Sequence, residues 1–134
     1  MSERVDFHSL RRPASPNTYL LAPEGFCQAE DPDAISPVFA TAPDALFGEI
    51  ATIISGKERW DITLRDDTAR HIEAIAKTKL LKFKDDVAIE VVPVDGKPDC
   101  SQLAIYSRSR VGYHDLGANR KRVEALIGDL TQKR

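Results

Sequence analysis

Gln102-Leu-Ala-Ile-Tyr-Ser-Arg-Ser-Arg-Val111 alternates apolar and polar side chains, and Gly112-Tyr-His-Asp-Leu-Gly117 joins it to Ala118-Asn-Arg-Lys-Arg-Val-Glu-Ala-Leu-Ile127, where the apolar spacing becomes three and four. That change of period predicts a strand that turns tightly into an amphipathic helix. The preceding Asp86-Val-Ala-Ile-Glu-Val-Val-Pro-Val94 alternates in the same way, so the two stretches read as a hairpin across Asp95-Gly-Lys-Pro-Asp-Cys100. Pro93 is tolerated because it lies near a strand end. Parity then sets Val87, Ile89 and Val91 on one face with Leu103, Ile105 and Val111. It sets Tyr106, Arg108 and Arg110 on the opposite, non-core face with Asp86 and Glu90.

Trp60, Ile62 and Leu64 alternate with Asp61, Thr63 and Arg65 and end at Asp66-Asp67, which predicts another strand and a hairpin turn. Its partner is expected as a strand within 68–83, although Ile72, Ile75, Ala76, Leu80 and Phe83 also fit a helical spacing. The parity slip between Ala76 and Leu81 then requires a bulge or bend. Leu46, Phe47, Ile50, Ala51, Ile53 and Ile54 recur at three and four, so a first helix runs from Asp44 to Ser55, with Pro43 at its entry and Gly56 at its exit. In the last helix Leu116, Val123, Leu126, Ile127 and Leu130 form the apolar stripe, and Asp115 is placed to cap it. Six of the eight prolines fall at positions 13, 16, 23, 32, 37 and 43, which excludes regular helix over most of residues 1–43. That segment reads as a flexible N-terminal arm over 1–14, followed by chain lying on the domain, with a short strand at Val38 to Thr41.

The expected fold is therefore α+β: a two-layer sandwich of one antiparallel four- or five-stranded sheet with two amphipathic helices on one face. Its single domain spans 15–134, and its core holds Trp60, Ile62, Ile89, Leu103, Ile105, Val123, Leu126 and Ile127. A chain of 134 residues that is 42% hydrophobic and 30% charged can bury such a core without staples. Cys27 and Cys100 have no second Cys or His near either at metal-ligand spacing, so two reduced thiols and no metal site are expected. No apolar run approaches the roughly 18 residues that span a bilayer, and the start lacks the apolar core of a secretory signal, which points to a cytoplasmic protein.

Ser109-Arg-Val-Gly-Tyr-His-Asp-Leu-Gly-Ala-Asn-Arg-Lys-Arg-Val-Glu124 resembles the C-terminal motif of domain-of-unknown-function family number 1499. Leu81-Lys-Phe-Lys-Asp-Asp-Val87 and Ser15-Pro-Asn17 are similar to its weaker motifs. The resemblance covers roughly residues 15 to 131 and implies a domain and a boundary. It implies no reaction, cofactor or catalytic residue.

Charge supplies the functional expectation. Arg108, Arg110, Arg120, Lys121 and Arg122 against Asp115 give +4 between residues 108 and 122, so with a whole-chain charge of −2 the remainder carries −6. A basic strand-to-helix junction on an acidic domain suits an anionic small molecule or an acidic protein surface, contacted by Arg108, Arg110, Asn119, Arg120 and Arg122. A pI near 5.9 disfavours nucleic acid. A competing account pairs Asp86 with Arg108 or Arg110 across the strands and lets Asp85 and Glu90 absorb other cations. Lys77, Lys79, Lys82 and Lys84 read as a solvated face.

Gly112 to Gly117 has the spacing of a phosphate loop but lacks the Lys-Ser/Thr that must follow it. The alternative to a non-enzymatic binding module is an enzyme using Tyr113, His114 and Asp115 with an arginine clamp. No nucleophile or metal signature supports that reading, and no cofactor is expected.

Overall fold

The computed structural model describes residues 4–79, 83–112 and 115–132. Along them the chain forms β1 (Thr18–Ala22), β2 (Ala34–Ile35), α1 (Pro43–Ser55), β3 (Trp60–Asp66), β4 (His71–Lys77), β5 (Lys84–Val94), β6 (Lys97–Ser109) and α2 (Ala118–Gln132). The two hairpins form as alternation requires, β3 with β4 and β5 with β6, and β4 adds antiparallel to β5. The 68–83 ambiguity resolves to a strand, because His71 to Lys77 has one partner on each side. The expected irregularity between Ala76 and Leu81 runs into residues 80–82, outside the described residues. A register shift does occur in β3, between Ile62 and Leu64.

The sheet has six strands in the order β2-β1-β6-β5-β4-β3, and β1 pairs with β2 in parallel. This corrects the expected antiparallel four- or five-stranded sheet to a mixed six-stranded one. The extra strands come from the proline-rich segment. Thr18-Tyr-Leu-Leu-Ala22 fits between Pro16 and Pro23 and adds antiparallel to β6, with Thr18 opposite Arg108 and Leu21 opposite Ile105. The strand expected at Val38 to Thr41 reduces to one bridge, in which Phe39 and Ser101 exchange backbone hydrogen bonds of 2.8 and 3.0 Å.

Both helices cover one face. Leu46, Phe47, Ile50 and Ile54 of α1 and Val123, Leu126 and Leu130 of α2 share a core with Ile72, Val87, Ile89, Val91, Leu103 and Ile105. Trp60 and Ile127 pack at its margin, as partly buried members. One expected core member, Ile62, does not belong, nor does Leu116 of the expected apolar stripe. Ile62 lies on the edge strand and is 38% exposed, and Leu116 is 92% exposed because it precedes the helix, in a turn with φ 54°. Val111 is also outside the core, since β6 ends at Ser109.

The opposite face is a second apolar layer rather than a solvated surface, which corrects the expected non-core assignment. Leu20, Ala22, Ala88, Ala104 and Tyr106 are covered there by Phe7 and Cys27, with Val5, Leu10 and Phe26 packed alongside. The arm at 1–14 thus contributes three of the covering side chains. Both cysteines are free thiols, and among the described residues no helix is long and apolar enough to cross a membrane.

Candidate functional site

At one end of the sheet β4 and β6 finish while β3, β5 and α2 begin, so the charges at these five element ends meet there. The β3–β4 register sets Trp60 opposite Ala76, and Lys77 donates its backbone N–H to the Arg59 carbonyl at 2.8 Å. Lys57 and Arg59, before the strand, therefore come beside Lys77 and Lys79, after its partner. Arg122, on the second turn of α2, closes the far side. Together with Glu58, Trp60 and Thr78 these residues line an open cleft of about 410 Å³. Five cations against one carboxylate make the lining strongly positive.

Three of those cations have partners. Lys57 Nζ lies 3.2 Å from Asp129 and 5.6 Å from the centre of the Trp60 ring, a cation–π contact. Lys77 is 3.2 Å from Asp61, and Arg122 is 2.7 Å from Asp85. Among the described residues Arg59 and Lys79 have no ion-pair partner. An anion entering the cleft meets two uncommitted cations and two lysines whose partners, Asp61 and Asp129, are themselves substantially exposed and so hold them weakly.

The junction residues are arranged differently from the sequence expectation. Arg110 forks onto Asp86, with Nε donating at 2.9 Å and Nη2 at 2.8 Å, so the cross-strand account explains it. Arg108 stands opposite Asp86 in the register but only 4.0 Å from its carboxylate, with 47% of its side chain exposed. Arg120 pairs with Glu124 at 3.1 Å, one helical turn on. Tyr106 is buried under the arm, away from any docking surface.

Asn119 corrects the expectation most directly, because a ligand contact needs access and this side chain is fully buried. Its amide donates to the Asn17 carbonyl at 3.0 Å, to Ser109 Oγ at 3.0 Å and to Asp115 at 2.6 Å. Its oxygen accepts from Ser107 Oγ at 2.7 Å and from Arg122 at 2.9 Å. The hydrogen-bonding capacity of the amide is thus used inside the fold.

Tyr113 and His114 lie outside the described residues. Asp115 caps α2 as expected: its carboxylate accepts the backbone N–H of Gly117 at 2.9 Å and of Asn119 at 3.3 Å. Burial would raise its pKa, but the hydrogen bonds from Asn119 and Gly117 outweigh that and hold it below the ordinary carboxylate value. Gly112 and Gly117, with φ of 81° and 79°, serve the turn into the helix. Among the described residues no group of three His, Cys, Asp or Glu side chains is placed to hold a metal ion.

The second face carries a cluster that sequence reading did not anticipate. His71, wholly buried, meets Glu90 through Nδ1 at 2.8 Å and Glu73 through Nε2 at 2.7 Å. Glu73 also accepts the Val5 backbone N–H at 2.8 Å, and the Phe7 ring stands edge-on to the imidazole at 6.0 Å. Burial alone would lower the His71 pKa, yet the two carboxylates outweigh it and raise the pKa above the ordinary value. The cluster ties the arm to the sheet.

A family model described as protein of unknown function (DUF1499) matches residues 11–130. No curated protein matches the sequence. A structural-genomics target from Thermobifida fusca, solved by solution NMR, is similar in structure with a TM-score of 0.46 and 14% identity, over 84% of this chain and 83% of that one.

Proposed function

We propose, for a chain that belongs to the DUF1499 family of proteins of unknown function, that it is a non-enzymatic module binding an anionic ligand. The observation that carries this reading is the cleft around Trp60, where Lys57, Arg59, Lys77, Lys79 and Arg122 converge on one hollow. Its ligand is an anionic small molecule or an acidic side-chain cluster on another protein. Arg122 links the cleft to the basic junction. The commitment of both Asp115 oxygens to Gly117 and Asn119 supports a binding role over the acid–base alternative at Tyr113, His114 and Asp115.

The chain has a single tryptophan, Trp60, so its fluorescence reports on this cleft alone. Titration with pyrophosphate at low salt is expected to change that signal, and the response should weaken as salt rises, because exposed charges are screened over about 8 Å at physiological ionic strength. Arg59→Glu with Lys79→Glu should abolish the response. Arg108→Glu with Arg110→Glu should leave most of it. If the second pair abolishes binding and the first does not, the ligand docks on the junction surface instead. Absence of any anion-dependent signal or heat at low salt would overturn the reading.

A further inference from the structure

Beside the cleft the same end of the molecule presents apolar side chains outward. Phe83 is 46% exposed, Val111 53% and Leu116 92%. Hydrogen bonding sets Phe83 beside the cleft lining and joins the chain next to Phe83 to the chain next to Val111. Phe83 exchanges bonds with Thr78 of the cleft lining, N–H to Oγ1 at 2.9 Å and carbonyl to N–H at 2.9 Å. Arg110, next to Val111, donates its backbone N–H to the Lys84 carbonyl, next to Phe83, at 3.4 Å. Leu116 stands on the loop that carries β6 into α2, whose first turn is tied to Ser109 through Asn119 at 3.0 Å.

Leu116 is the least expected of the three. A leucine held at φ 54° is in a backbone region that a side-chain-bearing residue occupies at a cost, and here it gains no burial in return. A large apolar side chain both strained and projected into water points to an environment other than water. The surroundings say which. Lys79, Lys84, Arg108, Arg120 and Lys121 are exposed at this end, and the cleft adds its own cations. Exposed apolar side chains at an end that also carries exposed Lys and Arg match the interface of an anionic bilayer, where side chains enter the headgroup boundary and cations meet lipid phosphates.

We propose that this end of the molecule docks on anionic membrane surfaces, with Phe83, Val111 and Leu116 entering the interface and the Trp60 cleft receiving a lipid phosphate. The inference rests on the anion-binding reading of the cleft and names its partner. Attachment is peripheral, and it should weaken with salt as the cations are screened.

The test is co-sedimentation of the full chain with vesicles of phosphatidylcholine alone, or with about one third phosphatidylserine, with Trp60 fluorescence toward pyrophosphate measured in parallel. Wild type is expected to sediment with the anionic vesicles only. Replacing Phe83, Val111 and Leu116 together by Ser should cut sedimentation at least about tenfold while keeping the pyrophosphate response and the circular dichroism spectrum. Arg59→Glu with Lys79→Glu should lose both.

If wild type responds to pyrophosphate but ignores both vesicles, the membrane inference fails and the cleft reading survives. If it responds to neither, both fail. Equal sedimentation of wild type and the triple-serine protein would remove the apolar loops from the contact. Equal binding to neutral and anionic vesicles would remove the phosphate. A Trp60 response to polyglutamate without vesicle binding would assign the surface to an acidic protein.

Discussion

The Arg122 guanidinium lies 2.7 Å from the Asp85 carboxylate, with only 13% and 3% of the two side chains exposed. Arg122 further donates to Ser107 Oγ at 3.1 Å and to the Asn119 amide oxygen at 2.9 Å. The pair fastens the start of α2 to the first residues of β5 and forms one wall of the cleft. Removing one partner of such a pair leaves the other charge buried. Asp85→Ala should therefore lose about 3–5 kcal/mol in a denaturant titration. A loss below about 1 kcal/mol would mean that Arg122 escapes to solvent and that the cleft wall is not fixed.

Asp115→Ala should destabilise the protein by about 0.5–2 kcal/mol, because it frees the N–H groups of Gly117 and Asn119 and the buried Asn119 amide. Asp115→Asn keeps one acceptor but turns an NH2 toward either the Gly117 N–H or the Asn119 donors, so it should recover only part of the loss. An unchanged urea midpoint for Asp115→Ala would remove the cap from the stability of α2.

Leu126 is 1% exposed between α2 and the sheet. Leu126→Ala should cost about 2–5 kcal/mol, the sum of lost transfer energy and the cavity left behind. A protein that unfolds at an unchanged urea concentration would place the helix outside the shared core.

The His71 cluster predicts a two-sided pH dependence. His71 has a raised folded pKa, so its contribution is complete below the ordinary value of about 6.5 and is lost as pH rises through the folded value. Burial would raise the Glu73 pKa, but hydrogen bonds from His71 and the Val5 N–H lower it. The Glu73 contribution is therefore complete above about 4.3 and is lost as pH falls through the depressed value. The charged groups facing His71 are Glu73 and Glu90, with Arg4 of the arm acting on Glu73 while held by Asp66 at 2.8 Å. Amide hydrogen exchange of residues 5–10 should be slowest in the window between these losses and should quicken on both sides. In a His71→Gln protein the alkaline limb should disappear. An unchanged profile would detach the arm from the cluster.

Much of the central architecture was legible because it is local. The spacing of Leu46, Phe47, Ile50 and Ile54 fixes a helix, and the alternation of Val87, Ile89, Val91, Leu103 and Ile105 fixes both a hairpin and its core face. Parity also placed Tyr106 correctly opposite that core. What covers it was not legible, because Phe7 and Cys27 reach Tyr106 from far along the chain and follow no period. β1 was missed for the same reason, since five residues between prolines carry too little alternation and the strand is defined by its distant partner. At the site, the excess of arginines over acids was visible, but Asp86, Asp85 and Glu124 absorb three of them. The cleft had a readable trace. Lys57-Glu-Arg59 precedes one strand of an expected hairpin and Lys77-Thr-Lys79 follows the other, so the pairing alone brings the two doublets together.

Asn17 and Asn119, 102 positions apart, are joined at 3.0 Å, and β1 beside Asn17 has only β6 and the two-residue β2 as neighbours. A ribosome releases Thr18 to Ala22 before β6, so β1 has no antiparallel partner while the chain between them emerges. The α1 to β4 segment can meanwhile gather through short-range contacts, whereas closing a long loop carries an entropic cost before it yields any contact. Leu20 and Leu21, each a member of one of the two apolar cores, stay without their β6 neighbours until then, so apolar surface is open on the nascent chain. A strand synthesised before its partner must wait for that partner to find its place.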